Sequence, residues 1–445
     1  MQPVRERTSP IEARLIPRSE RLQRLSKEGL WIAAGQGAAV GGSIIGVRLL
    51  TSLLDPAEYG QLALGMTVAT FVNQIVMGPL CNGATRLYAP AVEDGDLAGF
   101  FAAVRRLTAW ASAGTLLLIP GAIVALVVMG ESAWMSITIF AILFATLTGG
   151  NAVLSGVLNA ARQRSIAAIH QGAESLGRSL VAAALLFWIG ATSTIAMIGY
   201  AIVSLAVLAS QYTWLRKQIP SGGPSSGHGR ARWETEIWRF AWPFSTFGIF
   251  TWAQLVSDRW ALQVFSSSQE VGRYAVLFQL GYYPIAIVSN MAMQLLAPIY
   301  YQRVGNAADE KRNASVSLLT LRLTNGVLVL TLVAFTITLL THPAIFRIAA
   351  GREYASVSYL LPWLILSGGI FAAGQSLSLN LMSQMKSRSL VTAKIATAVF
   401  AIVLNLLGAR LYGTAGVVGA SVLFALSHLA WMEWLARSVT ALPRA

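Results

Sequence analysis

Twelve stretches of about 20 or more predominantly apolar residues recur along the 445-residue chain, and they constrain its fold more than any other feature. A helix of about 20 apolar residues spans the roughly 30 Å hydrocarbon core of a bilayer. Uninterrupted runs of this length are not typical of transmembrane β-strands, which alternate over about 10 residues. The sequence therefore predicts an all-α polytopic membrane protein with about 12 transmembrane helices, at residues 30–53, 61–84, 107–130, 133–158, 166–190, 195–215, 240–265, 274–299, 318–341, 357–381, 390–409 and 414–435.

Charged residues are few, and their positions are asymmetric. Only 12% of the residues are charged and 55% are hydrophobic, and the mean hydropathy is +0.60. The formal net charge is +14, yet seven Lys and Arg residues lie in the first 29 positions, and most of the others lie in alternate connections between the predicted helices. This bias follows the positive-inside rule and predicts that both termini are cytoplasmic. The basic composition thus reports topology, and we expect no nucleic-acid partner.

Residues that support covalent or metal chemistry are scarce. Cys81 is the only cysteine, which excludes an internal disulfide. The four histidines are scattered without the spacing of a metal site: His170, His228, His342 and His428. We therefore predict no catalytic residues, no metal and no cofactor. The polar first 29 residues also lack the features of a cleavable signal peptide.

The longest polar connection divides the predicted helices into two groups of six. It contains the Gly/Ser-rich stretch PSGGPSSGHGR, which is typical of a flexible linker. We predict a basic cytoplasmic tail at 1–29, an N-terminal lobe at 30–215, a cytoplasmic linker at 216–239, a C-terminal lobe at 240–437 and a second cytoplasmic tail at 438–445.

The two lobes resemble each other in sequence. RLLTSLLDPAEYGQLA begins at Arg48 and RWALQVFSSSQEVGRYA at Arg259; aligning them places Gly60 opposite Gly272 with one insertion. A second match relates residues 158–170 to residues 382–394 at a constant offset. An even number of helices separates the equivalent segments, so the pattern predicts a parallel repeat about an axis along the membrane normal, with two pseudo-symmetric lobes around a central cavity.

Arg48 and Arg259 occupy equivalent positions in this repeat. Each precedes the end of its helix by seven residues, about 10 Å at 1.5 Å per residue. If the lobes face each other, both guanidiniums could enter one cleft and bind phosphate oxygens in a bidentate manner. The alternative is that both side chains extend outward to lipid headgroups. We select both arginines as candidate substrate-binding residues.

Asp258 is the third candidate in the central cavity. A charge near the middle of a bilayer costs roughly 2.5–3.5 kcal/mol on the insertion scale, and an aspartate is too short to reach the headgroups. A polar interior, with hydrogen bonds or a basic partner from another helix, would compensate for this cost. Two roles remain open for Asp258: a structural ion pair, and coupling of transport to an ion.

A second set of polar residues lies in the fifth predicted helix. His170, Glu174 and Arg178 are spaced at i, i+4 and i+8 and so share one helical face. Such a face is expected to contact protein or water rather than lipid. The alternatives are static neutralisation between helices, which we favour, and a proton relay that couples transport to a gradient.

Four motifs carry a resemblance to a known family. They are LLDPAEYGQLALG after the first helix, GATRLYAPAVEDGDLAGFFAAVRRL before the third, SDRWALQVFSSSQEVGRYAV around Asp258 and Arg259, and AGREYASVSYLLPWLILSG before the tenth. Their order and spacing resemble the polysaccharide-transporter, or O-antigen flippase-like, branch of the multidrug/oligosaccharidyl-lipid/polysaccharide (MOP) exporter superfamily. The extra C-terminal pair of helices of lipid II flippases is absent from the pattern.

The resemblance implies a non-enzymatic, multi-pass protein of the bacterial inner membrane. Its implied substrate is an undecaprenyl-diphosphate-linked oligosaccharide for O-antigen, capsule or exopolysaccharide, flipped by alternating access. The implied partners are membrane lipids and polysaccharide polymerase or assembly proteins, with the chain itself a monomer. The alternatives are a cation-coupled multidrug exporter of the same superfamily, a membrane-embedded polysaccharide assembly enzyme and a non-transporting scaffold.

Overall fold

The computed structural model describes residues 18–217, 227–304, 309–384 and 387–440. Within these ranges all regular secondary structure is helical, as predicted. The helices are α1 (Arg18–Leu53), α2 (Pro56–Val72), α3 (Gly78–Glu93), α4 (Leu97–Leu116), α5 (Leu118–Val128), α6 (Met135–Ala160), α7 (Arg164–Trp188), α8 (Ser193–Arg216), α9 (Gly227–Phe265), α10 (Ser268–Val304), α11 (Glu310–Ala349), α12 (Leu361–Ser383) and α13 (Ser387–Thr440).

Each predicted transmembrane stretch falls on one of these helices or on a consecutive pair. The second stretch comprises α2, a π-helical turn at Asn73–Met77 and α3, and the third comprises α4 and α5. The last two are joined in α13 across a kink at Gly413, whose φ is +55°. In the described ranges, eight helical segments are long and apolar enough to span a membrane. The prediction of an all-α polytopic membrane protein is confirmed.

The junction between α1 and α2 shows how local sequence sets a helix boundary. Asp55 caps α2, and its side chain accepts a hydrogen bond of 2.8 Å from the backbone N–H of Glu58. Pro56 follows at the first helical position, where its missing N–H costs nothing. The pair ends α1 and starts α2 at one turn, and this turn brings Gly60 to the start of the next helix.

The two halves of the chain meet where α2 and α10 begin. Gly60 and Gly272, the glycines matched by the repeat, lie against each other's helices. A Cβ atom on Gly60 would overlap the Ser268 carbonyl oxygen, and one on Gly272 would overlap the Pro56 carbonyl oxygen. Only glycine permits so close a backbone approach. The repeat thus generates a contact between equivalent positions, at the end of the molecule that charge distribution predicts to face outward.

The end of α1 adds to this outer contact. The backbone N–H of Gly351 donates to the Thr51 hydroxyl at 2.9 Å, and the Tyr354 hydroxyl donates to the Leu54 carbonyl at 3.0 Å. Tyr354 is fully buried and packs edge-on against Tyr59 with ring centroids 5.8 Å apart. In this conformation the two halves are therefore joined by packed side chains and hydrogen bonds at their outer ends.

The predicted linker at 216–239 is only partly a connection between helices. α8 ends at Arg216 and α9 is helical from Gly227 onward, so the last part of the predicted linker belongs to helix α9. Trp233 and Ile237 on this extension are fully buried against the first half of the chain. The indole N–H of Trp233 donates to Asp96 at 3.0 Å. The Gly/Ser-rich stretch predicted a flexible segment here. Burial of the face that carries Trp233 and Ile237 instead stabilises the start of α9.

Candidate functional site

A cavity of about 450 Å³ lies between the two halves of the chain. Helices α1, α2, α7 and α8 of the first half and α9 and α10 of the second contribute to its wall. Its charged lining residues are Arg178 and Arg259, and no Asp or Glu is among the described residues that line it. The cavity is therefore a cationic chamber with one guanidinium from each half, and we call it the central cavity.

Arg178 approaches the central cavity from α7. Its guanidinium carbon lies 5.6 Å from the ring centre of Phe144 and 5.9 Å from that of Tyr200. Its Nε donates to the backbone carbonyl of Glu174 at 3.3 Å. Aromatic faces attract a cation without neutralising it. Arg178 is thus held in place while its positive charge stays available to an anion.

Arg259 reaches the same cavity from α9. Its guanidinium carbon lies 4.5 Å from the ring centre of Phe278, and Nη1 donates to the Leu255 carbonyl at 3.2 Å. Nη1 also lies 3.5 Å from Oδ1 of Asp258. The Arg259 side chain is 14% exposed, and that of Asp258 is 7% exposed. Adjacent residues on a helix point about 100° apart, so this contact requires the arginine to fold back toward its neighbour.

Asp258 lies behind the cavity wall rather than on it. Its Oδ2 accepts a hydrogen bond of 2.7 Å from the fully buried Tyr274 hydroxyl, and its Oδ1 accepts one of 2.7 Å from the backbone N–H of Arg259. The partner from another helix is therefore a tyrosine hydroxyl, and the nearest positive charge belongs to the next residue. These two hydrogen bonds and the neighbouring arginine offset the free-energy cost of removing the carboxylate from water.

The structure does not bring Arg48 to the central cavity. Its Nη1 donates to the Ala350 carbonyl at 2.5 Å, and Arg48 is not among the described residues that line the chamber. The side chain instead joins the end of α1 to the end of α11. A role for Arg48 in substrate binding stays a prediction; in this conformation the residue belongs to the outer contact between the halves.

His170 and Glu174 lie on the face of α7 that meets α6 and α8, as their spacing predicts. Glu174 Oε1 accepts hydrogen bonds from the Ser204 hydroxyl at 2.8 Å and from the Asn151 amide at 3.2 Å. His170 Nε2 lies 3.0 Å from the Ser210 hydroxyl. Glu174 makes no ion pair with Arg178 within the described ranges. The three residues share a face, but only Arg178 lines the central cavity.

A second cavity of about 350 Å³ adjoins the first, with which it shares Leu255, Tyr282 and Ala286. Its wall carries hydroxyl groups, the aromatic ring of Phe371 and His428, and four amide side chains, Gln74, Gln254, Asn290 and Gln375. Amides both donate and accept hydrogen bonds without net charge. We call this space the amide cavity; its chemistry suits a neutral ligand rich in hydroxyl groups.

A row of aromatic rings connects the two cavities. Phe278, beneath the Arg259 guanidinium, stacks on Tyr282 with ring centres 4.8 Å apart. Tyr282 lies 6.3 Å from Phe371, which in turn lies 4.9 Å from the His428 ring. Among the described residues there is no cluster of three or more His, Cys, Asp or Glu side chains that could hold a metal ion. The two arginines, the four amides and the connecting aromatic rings are chemically suited to an anionic and polar ligand.

Sequence reasoning missed the aromatic partners of the site. Tyr200, Phe278 and Tyr282 were hidden among many apolar residues of transmembrane helices, where a ring on its own predicts nothing. A usable signal was present for Phe278 and Tyr282, which stand four residues apart and follow Tyr274 at the same spacing. Three rings at i, i+4 and i+8 share one helical face.

The sequence matches a family model described as polysaccharide biosynthesis protein over residues 25–304, more than half of the chain. Among curated proteins, none matches significantly. Of the solved structures, the lipid II flippase MurJ in an inward closed conformation matches with a TM-score of 0.67 and 12% identity, covering 93% of this chain and 88% of that one.

Two further matches are MATE transporters. An inward-facing multidrug resistance MATE family transporter of the MOP superfamily gives a TM-score of 0.64 at 12% identity, covering 95% of this chain and 99% of that one. The MATE transporter VcmN of Vibrio cholerae gives 0.62 at 13% identity, covering 94% and 98%. At these identities the likeness extends to the fold, which is that of MOP superfamily transporters.

Proposed function

The chain belongs to the polysaccharide biosynthesis protein family, and on that premise we propose that it is a flippase for a lipid-linked oligosaccharide. The proposed substrate is an undecaprenyl-diphosphate-linked repeat unit of O-antigen, capsule or exopolysaccharide. The proposed location is the bacterial inner membrane, with both termini in the cytoplasm, in keeping with the bias of basic residues toward one side.

The observation that carries the proposal is the pair of guanidiniums on the central cavity. A diphosphate is the anionic group of such a substrate, and an arginine can bind phosphate oxygens through two parallel hydrogen bonds. Arg178 comes from the first half and Arg259 from the second, so one diphosphate between them would contact both halves. No Asp or Glu is among the described lining residues, and Asp258, whose Oδ1 lies 3.5 Å from Arg259 Nη1, stands behind the wall.

The amide cavity supplies the place for the sugars. Gln74, Gln254, Asn290 and Gln375 offer donors and acceptors to sugar hydroxyls, and the rings of Tyr282 and Phe371 offer apolar faces. The lipid tail would remain in the bilayer, because moving a long apolar chain from lipid into a polar cavity would not lower its free energy. The substrate would then lie with its diphosphate in the central cavity and its sugars in the amide cavity.

Transport requires the outer contact to open. We propose that the lobes at 30–215 and 240–437 rock against each other, and that this motion separates Gly60 from Gly272 and frees the Arg48 guanidinium. No covalent step is needed. A proton or sodium gradient, or the membrane potential, would drive the cycle; a potential of 100 mV supplies about 2.3 kcal/mol per charge moved.

A cation-coupled multidrug exporter is the alternative within the same fold. Such a protein binds cationic compounds and is expected to place acidic residues on its cavity, whereas the central cavity carries two arginines. A polysaccharide assembly enzyme would need a nucleophile or an acid–base pair in contact with the substrate. Asp258 is buried behind the wall and bound to Tyr274, so it does not fill that role.

The test is lipid flipping in proteoliposomes, with a fluorescent undecaprenyl-diphosphate oligosaccharide and an impermeant quencher. We expect Arg178→Gln and Arg259→Gln each to slow flipping roughly tenfold or more, since a hydrogen bond to a charged group contributes about 1.5–3 kcal/mol. Arg312→Gln is the matched control, because Arg312 is exposed and pairs with the nearby Asp309. Normal flipping by both cavity variants would refute the site, and no flipping by wild type under any gradient would refute the function.

A further inference from the structure

A further cavity lies away from the central cavity, on the flank of the first half. It measures about 910 Å³ and is formed by α4, α6 and α8. We call it the flank groove. Leucine and alanine make up half of its lining residues, among them Leu147, Leu154, Leu205 and Leu208. The groove is therefore an apolar channel on the surface of one lobe.

On this flank the second half of α4 and α5 are largely exposed, whereas Phe100 and Ala103 in the first half of α4 are fully buried. Of the 11 residues of α5 none is buried. Trp110 on α4 is 67% exposed, and Leu117, between the two helices, is 75% exposed. Side chains this apolar and this exposed, in a membrane-spanning segment, face lipid. The groove thus communicates with the bilayer rather than with water.

Two arginines line the groove, each just outside the same predicted boundary of its membrane-spanning stretch. Arg105 lies on α4 and Arg216 at the last position of α8, and both side chains line the groove. Both residues are exposed, and neither makes an ion pair with any residue in the described ranges. Tyr212, one turn before Arg216 on α8, also lines the groove. Two unpaired cations beside an apolar channel are complementary to an anionic headgroup attached to an acyl chain.

A third polar group points to an occupant. The Thr108 hydroxyl is buried on the wall of the groove, and it has no hydrogen-bond partner among the described residues. Thr108 lies one turn along α4 from Arg105, so a ligand held at the arginines could also hydrogen-bond to this hydroxyl through its ester region. A buried hydroxyl without a partner costs free energy, and a bound lipid would remove that cost.

The length of the groove fits one leaflet. From Arg216 to Leu205 the lining residues of α8 extend over about 16 Å at 1.5 Å per residue. Half of the roughly 30 Å hydrocarbon core is about 15 Å. An acyl chain that entered beside Arg216 would reach the middle of the bilayer near Leu205.

We propose that the flank groove is a binding site for an anionic phospholipid of the cytoplasmic leaflet, with its phosphate at Arg105 and Arg216 and one acyl chain between α4, α6 and α8. The side of the membrane follows from the predicted topology. This site lies outside both substrate cavities, so it would bind its lipid whether or not the protein carries the proposed substrate.

The test is lipid binding to the purified full-length protein in detergent, followed by native mass spectrometry and by thermal unfolding with added lipid. Phosphatidylglycerol is the probe, and phosphatidylcholine is the zwitterionic comparison. We expect phosphatidylglycerol to bind more tightly and to raise the melting temperature. Arg105→Gln with Arg216→Gln should weaken its binding roughly 30-fold, since each arginine near the surface contributes about a five-fold preference for anionic lipid.

The matched control is Arg106→Gln with Lys217→Gln. Each change lies one residue from its counterpart and removes the same charge, but neither residue lines the groove, and Arg106 pairs with Glu234 at 3.4 Å. The control should retain phosphatidylglycerol binding. Ala209→Trp, which fills the groove without changing charge, should lose it.

Three results would overturn the proposal. Equal binding of the two phospholipids would show that the arginines do not select charge. Unchanged phosphatidylglycerol binding in the Ala209→Trp protein would place the lipid elsewhere. Preferential displacement of phosphatidylglycerol by undecaprenyl phosphate would make the groove a site for the carrier lipid. A melting temperature of each variant without lipid shows that it is folded.

Discussion

The hydroxyl of Tyr274 donates a hydrogen bond of 2.7 Å to Oδ2 of Asp258 across the α9–α10 pair. This bond holds a carboxylate that would otherwise be a costly charge within the membrane. We expect Tyr274→Phe to reduce stability by about 1–3 kcal/mol, because the buried carboxylate loses a donor. Thermal unfolding in detergent measures the change, and Tyr412→Phe, at a tyrosine that is 75% exposed, is the control. Equal melting of Tyr274→Phe and wild type would contradict a stabilising bond.

The amide cavity leads to a prediction about sugar recognition. Gln254→Leu combined with Gln375→Leu should weaken binding of the lipid-linked oligosaccharide by roughly 5- to 100-fold, since each net hydrogen bond contributes about 0.5–1.5 kcal/mol. Undecaprenyl diphosphate without sugars should bind as it does to wild type. Quenching of intrinsic tryptophan fluorescence measures both affinities.

Gln269→Leu is the control for this experiment, because Gln269 is exposed and lines neither cavity. If the double variant lost affinity for both ligands equally, its effect would lie in the shape of the cavity and not in the sugars.

Glu174 separates a structural role from a role in proton transfer. Glu174→Ala removes the acceptor of Asn151 and Ser204, and we expect a loss of about 1–3 kcal/mol in stability. Glu174→Gln retains an acceptor oxygen, so it should recover most of that loss and keep the response of transport to a proton gradient. Thermal unfolding and gradient-driven flipping are the two measurements. A folded Glu174→Gln protein that no longer responds to the gradient would instead support the relay.

The packing of Gly60 against α10 predicts that one added methyl group would disturb the outer contact. Gly60→Ala would place Cβ against the Ser268 carbonyl, so the halves can no longer close as they do here. A cysteine at Ser43, which lines the central cavity, reports the opening when Cys81 is replaced by serine. We expect an impermeant maleimide added outside to label this cysteine faster in the Gly60→Ala protein.

Gly419→Ala is the control for that labelling, since a Cβ there meets no atom within 4 Å. Equal labelling of the Gly60→Ala protein and its control would mean that the outer contact does not limit access to the cavity.

The elements that could be predicted from the sequence are those set by local composition. Apolar runs located the helices, and the matched segments after Arg48 and Arg259 identified the glycines that meet in the outer contact. The predicted charged face of α7 is also present. The domain boundaries remain predictions. Helix α9 begins within the predicted linker, where Trp233 and Ile237 bury a face that the neighbouring Gly/Ser stretch did not reveal.

The geometry of the candidate site could not be predicted because it depends on how each helix is rotated about its axis. Depth along a helix follows from 1.5 Å per residue, and it placed Arg48 and Arg259 at one level. Direction follows from packing: α1 turns Arg48 toward Ala350, while α7 turns Arg178 toward the central cavity. The tyrosine partner of Asp258 likewise depends on how α9 packs against α10. The sequence of neither helix alone predicts that packing.

The outer contact has the geometry of a homodimer interface within a single chain. Gly60 meets the helix of Gly272 as Gly272 meets the helix of Gly60, which is the reciprocity of an isologous interface. In a true dimer one mutation changes both sides at once. Here each side is encoded separately, so a substitution at one glycine changes the sequence on one side only, although the two glycines pack so closely that the whole contact is affected. The two sides of the outer contact can therefore differ in sequence, but only as far as their shared geometry allows.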